Sequence, residues 1–170
     1  MNPLPPLTLV LGGARSGKST YAEGLVEAIG GGLYLATAEV LDKEMQERVQ
    51  GHRDRRGNLW RTVEEPLDLS DALRANGEAP ILVDCLTLWL SNIMAADRDV
   101  EFEIKSLIST LSECEAPVVV VSNEVGLGIV PGNALARAFR DEAGRMNQRL
   151  ATMADRVVFV AAGLPLVMKG

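Results

Sequence analysis

The sequence is short of most features that mark an extracellular, membrane-embedded or nucleic-acid-binding protein. Cysteine occurs only twice in 170 residues. Cys85 and Cys114 have no C-x-x-C spacing and no second metal-type ligand nearby. That argues against a disulfide framework or a zinc site and leaves two reduced core thiols. No apolar run approaches the ~20 residues of a membrane span. The start, Met1-Asn2-Pro3-Leu4-Pro5-Pro6, has neither the basic nor the apolar region of a signal peptide, so a cytoplasmic location is expected. Positive charge is in deficit. Seventeen Lys and Arg against 23 Asp and Glu give a net charge of −6, which speaks against a nucleic-acid partner. Repeats, low-complexity tracts and linkers are missing too, so one domain over residues 1–170 is expected, long enough for a proper core.

What is present is an alternation. Hydrophobic residues make up 47% of the chain, as in an ordinary globular protein. Short apolar runs predict strands at Leu7–Leu11, Gly32–Ala36, Trp60–Val63, Ile81–Asp84, Val118–Ser122 and Arg156–Val160. Helical patterns lie near Ser19–Ile29, Leu41–Arg55, Leu67–Ala75, Leu86–Met94, Glu101–Glu113 and Asn133–Met153. Strand and helix in turn predict an α/β fold, a mostly parallel sheet with helices on both faces. In such sheets ligands gather at the carboxyl ends of the strands. The segment 12–19, Thr37, Asp84 and Asn123-Glu124 all fall at such ends.

Gly12-Gly13-Ala14-Arg15-Ser16-Gly17-Lys18-Ser19 is a complete G-x-x-x-x-G-K-[ST] phosphate-binding loop. Gly12 and Gly17 are expected to take backbone angles closed to other residues, turning successive N–H groups onto phosphates. Lys18 would reach the β- and γ-phosphates, and the Ser19 hydroxyl would ligate Mg²⁺. The alternative is a chance match in a glycine-rich turn. The strand before it and the helix after it argue against chance, and a helix N-terminus favours anions.

Two acidic positions follow. Asp84 ends an apolar strand, where phosphate-loop folds commonly place an acid on Mg²⁺ or its water. The phosphate loop favours that reading over an N-cap for the helix at Leu86–Met94, and direct contact with substrate or nucleotide is the other option. Glu124 follows the Val118–Ser122 strand, where a substrate-binding group or a structural cap would stand. Gly126, Gly128, Pro131 and Gly132 then form a loop that could cover a site.

The single histidine, His52, lies among Arg48, Arg53, Arg55 and Arg56. The plain reading is a solvated basic helix end, where cations suit the dipole. The functional reading is a nucleophile. Neighbouring arginines disfavour imidazolium, and the same arginines bind phosphate oxygens, which suits a histidine that carries a nucleotidyl group. Local sequence does not choose between them.

Wider resemblance does. The phosphate loop is followed by Leu33-Tyr34-Leu35-Ala36-Thr37-Ala38, Arg48-Val49-Gln50-Gly51-His52-Arg53, Trp60-Arg61-Thr62-Val63-Glu64 and Asp84-Cys85-Leu86-Thr87. Further on come Ser122-Asn123-Glu124-Val125-Gly126-Leu127-Gly128-Ile129-Val130-Pro131 and Phe139-Arg140-Asp141-Glu142-Ala143-Gly144-Arg145. In this order, over nearly the whole chain, they resemble the bifunctional adenosylcobinamide kinase / adenosylcobinamide-phosphate guanylyltransferase family of cobalamin biosynthesis. The resemblance implies a RecA-like P-loop NTPase fold and a homotrimer. It implies phosphorylation of adenosylcobinamide by ATP or GTP, then guanylylation of adenosylcobinamide phosphate by GTP through a guanylyl-histidine. It places that histidine at His52 beside Lys18 as catalytic residues. It places nucleotide contacts at Gly12, Gly13, Ala14, Arg15, Ser16, Gly17, Lys18, Ser19, Ala36, Thr37, Ala38, Arg53, Asp54, Arg55, Arg56, Glu64 and Asp84, beside the Mg²⁺ that the loop motif and the strand-end acid put at Ser19 and Asp84. The sequence departs from some relatives at Gly51, where they carry a second histidine, and at Asp84, where they carry Glu. Two other readings use less of the chain: a single-activity small-molecule kinase with His52 inert, and a nucleotide-dependent switch without chemistry of its own.

Overall fold

The computed structural model describes residues 4–38 and 57–170. Their order is β1 (Leu7–Gly12), α1 (Lys18–Glu27), β2 (Gly32–Ala36), β3 (Trp60–Glu64), α2 (Leu69–Arg74), β4 (Ile81–Asp84), α3 (Leu86–Ala95), α4 (Val100–Glu113), β5 (Val118–Asn123), α5 (Ala134–Met153), β6 (Arg156–Ala161) and β7 (Leu164–Lys169). The strands form one sheet in the order β3-β2-β4-β5-β1-β6-β7. β6 and β7 pair antiparallel and the other described pairings are parallel. The six expected strands are all present, each within a residue of its expected bounds. The helix expected over Leu41–Arg55 lies outside the described residues.

Period two in the strands sorts the core. Leu7, Leu9 and Leu11 of β1 face one side with Leu33, Leu35, Ile81, Val83, Val118 and Val120, under α2, α3, α4 and α5. The intervening Val10, Tyr34, Ala36, Leu82, Val119, Val121, Val158 and Val160 face the other side, against Ala22 and Val26 of α1. Strands buried on both faces read as continuous apolar runs, which is why β1, β4 and β5 were legible. Trp89 of α3 is fully buried, and its indole N–H donates to the Leu67 carbonyl at 2.9 Å. Caps set two helix starts: Asp99 accepts from Phe102 N at 3.0 Å and Asn133 from Ala136 N at 2.7 Å.

β7 was not expected. Its sequence, Leu-Pro-Leu-Val-Met-Lys, has a proline inside and every residue is exposed, so it shows no buried-face pattern. It is held by a two-residue turn in which Ala162 and Gly163 both have positive φ, 51° and 78°. Two such residues match the twist of a hairpin.

Candidate active site

The segment 12–19 leaves the end of β1 and enters α1, so the N-terminus of α1 opens onto the loop. Gly17, the N-cap of α1, has φ 94°, a left-handed conformation that suits glycine. Gly12 meets a different demand from the one expected. It lies in β1, outside the positive-φ residues, and it is Arg15 that takes φ 55°. A Cβ on Gly12 would stand 2.5 Å from Ser16 Oγ and 2.5 Å from the Val160 carbonyl oxygen. Space, not backbone angle, selects glycine there.

Within the loop, Ser16 N–H donates to the Gly13 carbonyl at 3.3 Å, and Lys18 Nζ donates to the same oxygen at 3.0 Å. Lys18 is 8% exposed, which lays its ammonium along the loop rather than in bulk solvent. Ala14, Arg15 and Gly17 are exposed, with Gly13, Ser16 and Ser19 half-buried. The β6–β7 turn supports the loop from outside. Gly163 N–H donates to the Ser16 carbonyl at 2.8 Å, and the Gly163 Cα stands 3.1 Å from where a Gly17 Cβ would be. This support was missed in the sequence. Gly163, a chain breaker between two apolar stretches, was its only trace in the sequence.

Asp84 ends β4, two strands from β1, so sheet spacing puts it about 10 Å from the loop's strand. It is not the helix cap. The N-cap of α3 is Cys85, without a side-chain capping bond, and the Asp84 carboxylate instead accepts from the Tyr34 hydroxyl at 2.7 Å. The Asp84–Cys85 peptide is cis. Burial pushes the Cys85 thiol up from 9.0 to about 11. The Asp84 charge adds to the rise and the Lys18 ammonium opposes it. The lysine and the acid thus act on one buried point.

Thr37 is buried, and its hydroxyl is used twice. It donates to the Cys85 carbonyl at 2.6 Å and accepts from Cys85 N–H at 2.9 Å, while Asn92 holds the Thr37 carbonyl at 2.8 Å. Thr37 therefore ties the end of β2 to the turn after Asp84, with Ala36 buried before it and Ala38 half-buried after it. Glu64 is exposed at the end of β3, in register with Ala36 and four strands from β1, about 19 Å by sheet spacing. The structure does not bring Glu64 to the phosphate loop. Glu124 is occupied locally: its N–H donates to the Gly12 carbonyl at 3.0 Å and its carboxylate accepts from Gly126 N–H, as a structural cap would. His52, Arg53, Asp54, Arg55 and Arg56 lie outside the described residues.

Polar groups also meet behind β5. Ser122 donates to Asn147 Oδ1 at 2.7 Å, Asn147 Nδ2 donates to the Asn123 carbonyl at 3.2 Å, and Asn123 N–H donates to Thr87 Oγ1 at 2.6 Å. They fix the strand between the acid and the loop. Sequence reasoning missed this network because its members come from three separate segments.

Residues 8–168 match the family described as cobinamide kinase / cobinamide phosphate guanyltransferase. The chain belongs to that family. The bifunctional adenosylcobalamin biosynthesis protein CobP of Pseudomonas aeruginosa is 47% identical over 167 residues, 95% of this chain and 96% of that one. The bifunctional adenosylcobalamin biosynthesis protein CobU of Salmonella typhimurium is 43% identical over 180 residues, 96% and 99% of the two chains. Among solved structures, a KaiC-like protein of Pyrococcus horikoshii superposes with a TM-score of 0.50 at 12% identity, over 91% of this chain and 71% of that one. A second protein of that organism reaches 0.55 at 8% identity, over 98% and 88%. These two likenesses concern the fold alone, a mostly parallel sheet flanked by helices.

Proposed function

We propose that this member of the family phosphorylates adenosylcobinamide with ATP or GTP and then transfers GMP from GTP to the new phosphate, giving adenosylcobinamide-GDP. The observation that carries this reading is the phosphate loop at the N-terminus of α1, with Lys18 laid along it, in a chain that aligns with bifunctional relatives over nearly its full length.

In the kinase step the substrate hydroxyl attacks the γ-phosphorus in line, and the nucleoside diphosphate leaves. Lys18 and the N–H groups of Gly13 to Ser19 hold the phosphates and offset the charge that builds on them. Ser19 and Asp84 would hold Mg²⁺. Both are hard oxygen donors, and no group of three or more His, Cys, Asp or Glu side chains able to hold a metal occurs among the described residues. That donor set fits an ion bound through one or two protein groups plus phosphates. Held there, the ion would supply positive charge to offset what builds on the phosphates during transfer. Ala36-Thr37-Ala38 would form a wall beside the nucleotide, with Thr37 as the tie. Glu64, far from the loop, would meet only the distal part of a nucleotide.

In the transfer step the neutral imidazole of His52 attacks the α-phosphorus of GTP and pyrophosphate leaves. A phosphate oxygen of adenosylcobinamide phosphate then attacks the guanylyl-histidine and frees the ring. Arg53, Arg55 and Arg56 would bind phosphate oxygens and disfavour imidazolium, with Asp54 beside them in the nucleotide contact. We place the enzyme in the cytoplasm, as one domain that assembles into a homotrimer. No helix among the described residues is long and apolar enough to cross a membrane. Two exposed apolar stretches would be covered on assembly: Leu127, Ile129 and Val130, and Leu164, Leu166 and Met168.

The test is His52→Asn. It should stop formation of adenosylcobinamide-GDP while keeping cobinamide phosphorylation, because the hydroxyl attacks γ-phosphorus without a histidine. Full guanylyl transfer in this variant would remove His52 from the mechanism. Wild-type protein that makes only the phosphate would leave a single-activity kinase.

A further inference from the structure

The tyrosine beside the acid has more than a packing role. Tyr34 sits in the middle of β2 between Leu33 and Leu35 and is 4% exposed. Its ring packs in the small core under α1. Tyr34 is in register with Leu82 of β4, so Asp84 is the next residue along that strand on the same face. The hydroxyl reaches it at 2.7 Å, a bond to Oδ2 in the range of charge-assisted O–H···O⁻ contacts.

The tyrosine is itself held. Trp60 of β3 meets its ring edge-on, with centroids 5.8 Å apart and planes at 80°. The Trp60 indole N–H donates to Glu27 of α1 at 2.9 Å, which fixes the tryptophan in turn. The carboxylate torsion of an aspartate is broad and two-fold, so an acid at a strand end turns easily unless something grips one oxygen. Tyr34 grips Oδ2, which leaves the other oxygen for a second partner.

We propose that Tyr34 is a positioning residue: its hydroxyl fixes the Asp84 carboxylate in the orientation that receives the metal–nucleotide complex at the phosphate loop. This rests on the metal reading of Asp84 given above. Magnesium demands near-ideal octahedral geometry at short distances, so a rotated carboxylate is a poor partner. Groups that orient a metal's partners are typically worth about 10–100-fold in metal affinity or activity.

The test uses Tyr34→Phe, which keeps the ring and its contact with Trp60 and removes only the hydroxyl. Mn²⁺ is the probe, read by electron paramagnetic resonance on the protein with a non-hydrolysable GTP analogue, a readout that needs no turnover. Mn²⁺ affinity should fall by about tenfold or more. Metal-free binding of a fluorescent GTP analogue should stay unchanged, as should far-UV circular dichroism, and so should the response of an Asp84→Asn protein when Tyr34→Phe is added. Asp84→Asn that weakens Mn²⁺ binding while Tyr34→Phe leaves it at the wild-type value would overturn the positioning role alone. Asp84→Asn with wild-type Mn²⁺ affinity would overturn the metal reading of Asp84 and this proposal with it. Should Tyr34→Phe unfold, Trp60→Phe, which loosens the ring that steers the hydroxyl, replaces it. A smaller fall in Mn²⁺ affinity is then expected, and no fall would refute the role.

Discussion

The two faces of the sheet are built from different materials. On one face, leucine and isoleucine alternate out of β1, β2 and β4 to meet α2, α3, α4 and α5, with Trp89, Leu90 and Ile93 at the centre. On the other, Val10, Tyr34, Ala36, Leu82, Val119 and Val121 stand between them, and a single helix, α1, meets them through Ala22 and Val26. At the carboxyl ends the contrast sharpens. Asp84 and the hydroxyl of Tyr34 lie on the α1 side, and the phosphate loop runs into α1 itself. The helix-rich face buries large apolar volume and supplies stability. The α1 face is covered by one helix and carries charged groups at its carboxyl end, where a ligand can replace their water. Substitutions should therefore separate: those on the first face change stability, those at the end of the second change chemistry.

The largest effect should come from the helix-rich face. Trp89→Ala removes a fully buried ring and leaves the Leu67 carbonyl unpartnered. It should cost about 3–5 kcal/mol by urea unfolding, while turnover per folded molecule stays near wild type. A loss of turnover with unchanged stability would contradict this division of labour between the faces.

Lys18→Ala should do the reverse. One positioned donor to a developing charge is worth about 100–1,000-fold, so cobinamide phosphorylation should drop by that factor with the unfolding midpoint little changed. Near wild-type turnover would remove the loop's catalytic role.

The smallest effect concerns Cys85, on the α1 face beside both charges. Its folded pKa of about 11 lies above the ordinary 9.0, because burial and Asp84 disfavour the thiolate. The neutral thiol is therefore favoured by folding. Its stability contribution is fully present below about pH 9 and is lost as pH rises towards 11. Native protein at pH 8 should leave Cys85 unreacted with iodoacetamide, while unfolded protein should react readily. Rapid native labelling of Cys85 would mean the α1 face opens.

Much of this was legible from residue order, and the exceptions have physical causes. β1, β4 and β5 were legible because strands buried on both faces have to be continuously apolar. The phosphate loop was legible because its residue types at fixed spacing have few other uses. The reason for Gly12 was misjudged: a spacing pattern cannot say that the Val160 carbonyl, far along the chain, would occupy the place of its Cβ. β7 escaped because an exposed strand with an internal proline has no periodic signal. The Tyr34–Asp84 bond, the two Thr37 bonds to Cys85 and the support of Gly163 under Ser16 depend on strand order. Each joins residues that only the sheet brings together. The reading of Asp84 as a helix cap failed for that reason, since its partner stands on another strand.

The proposed function turns on one chain performing both phosphoryl and guanylyl transfer. The most direct measurement is to incubate the wild-type protein with GTP labelled at the α-phosphate, and separately at the γ-phosphate, without cobinamide. Label should reach the protein from the α-position only, be lost in acid and kept in base as a phosphoramidate is, and lie on the peptide that contains His52. Added adenosylcobinamide phosphate should then carry that label away as adenosylcobinamide-GDP. Absence of α-label on a protein that still phosphorylates cobinamide, or α-label on any residue other than His52, would contradict it.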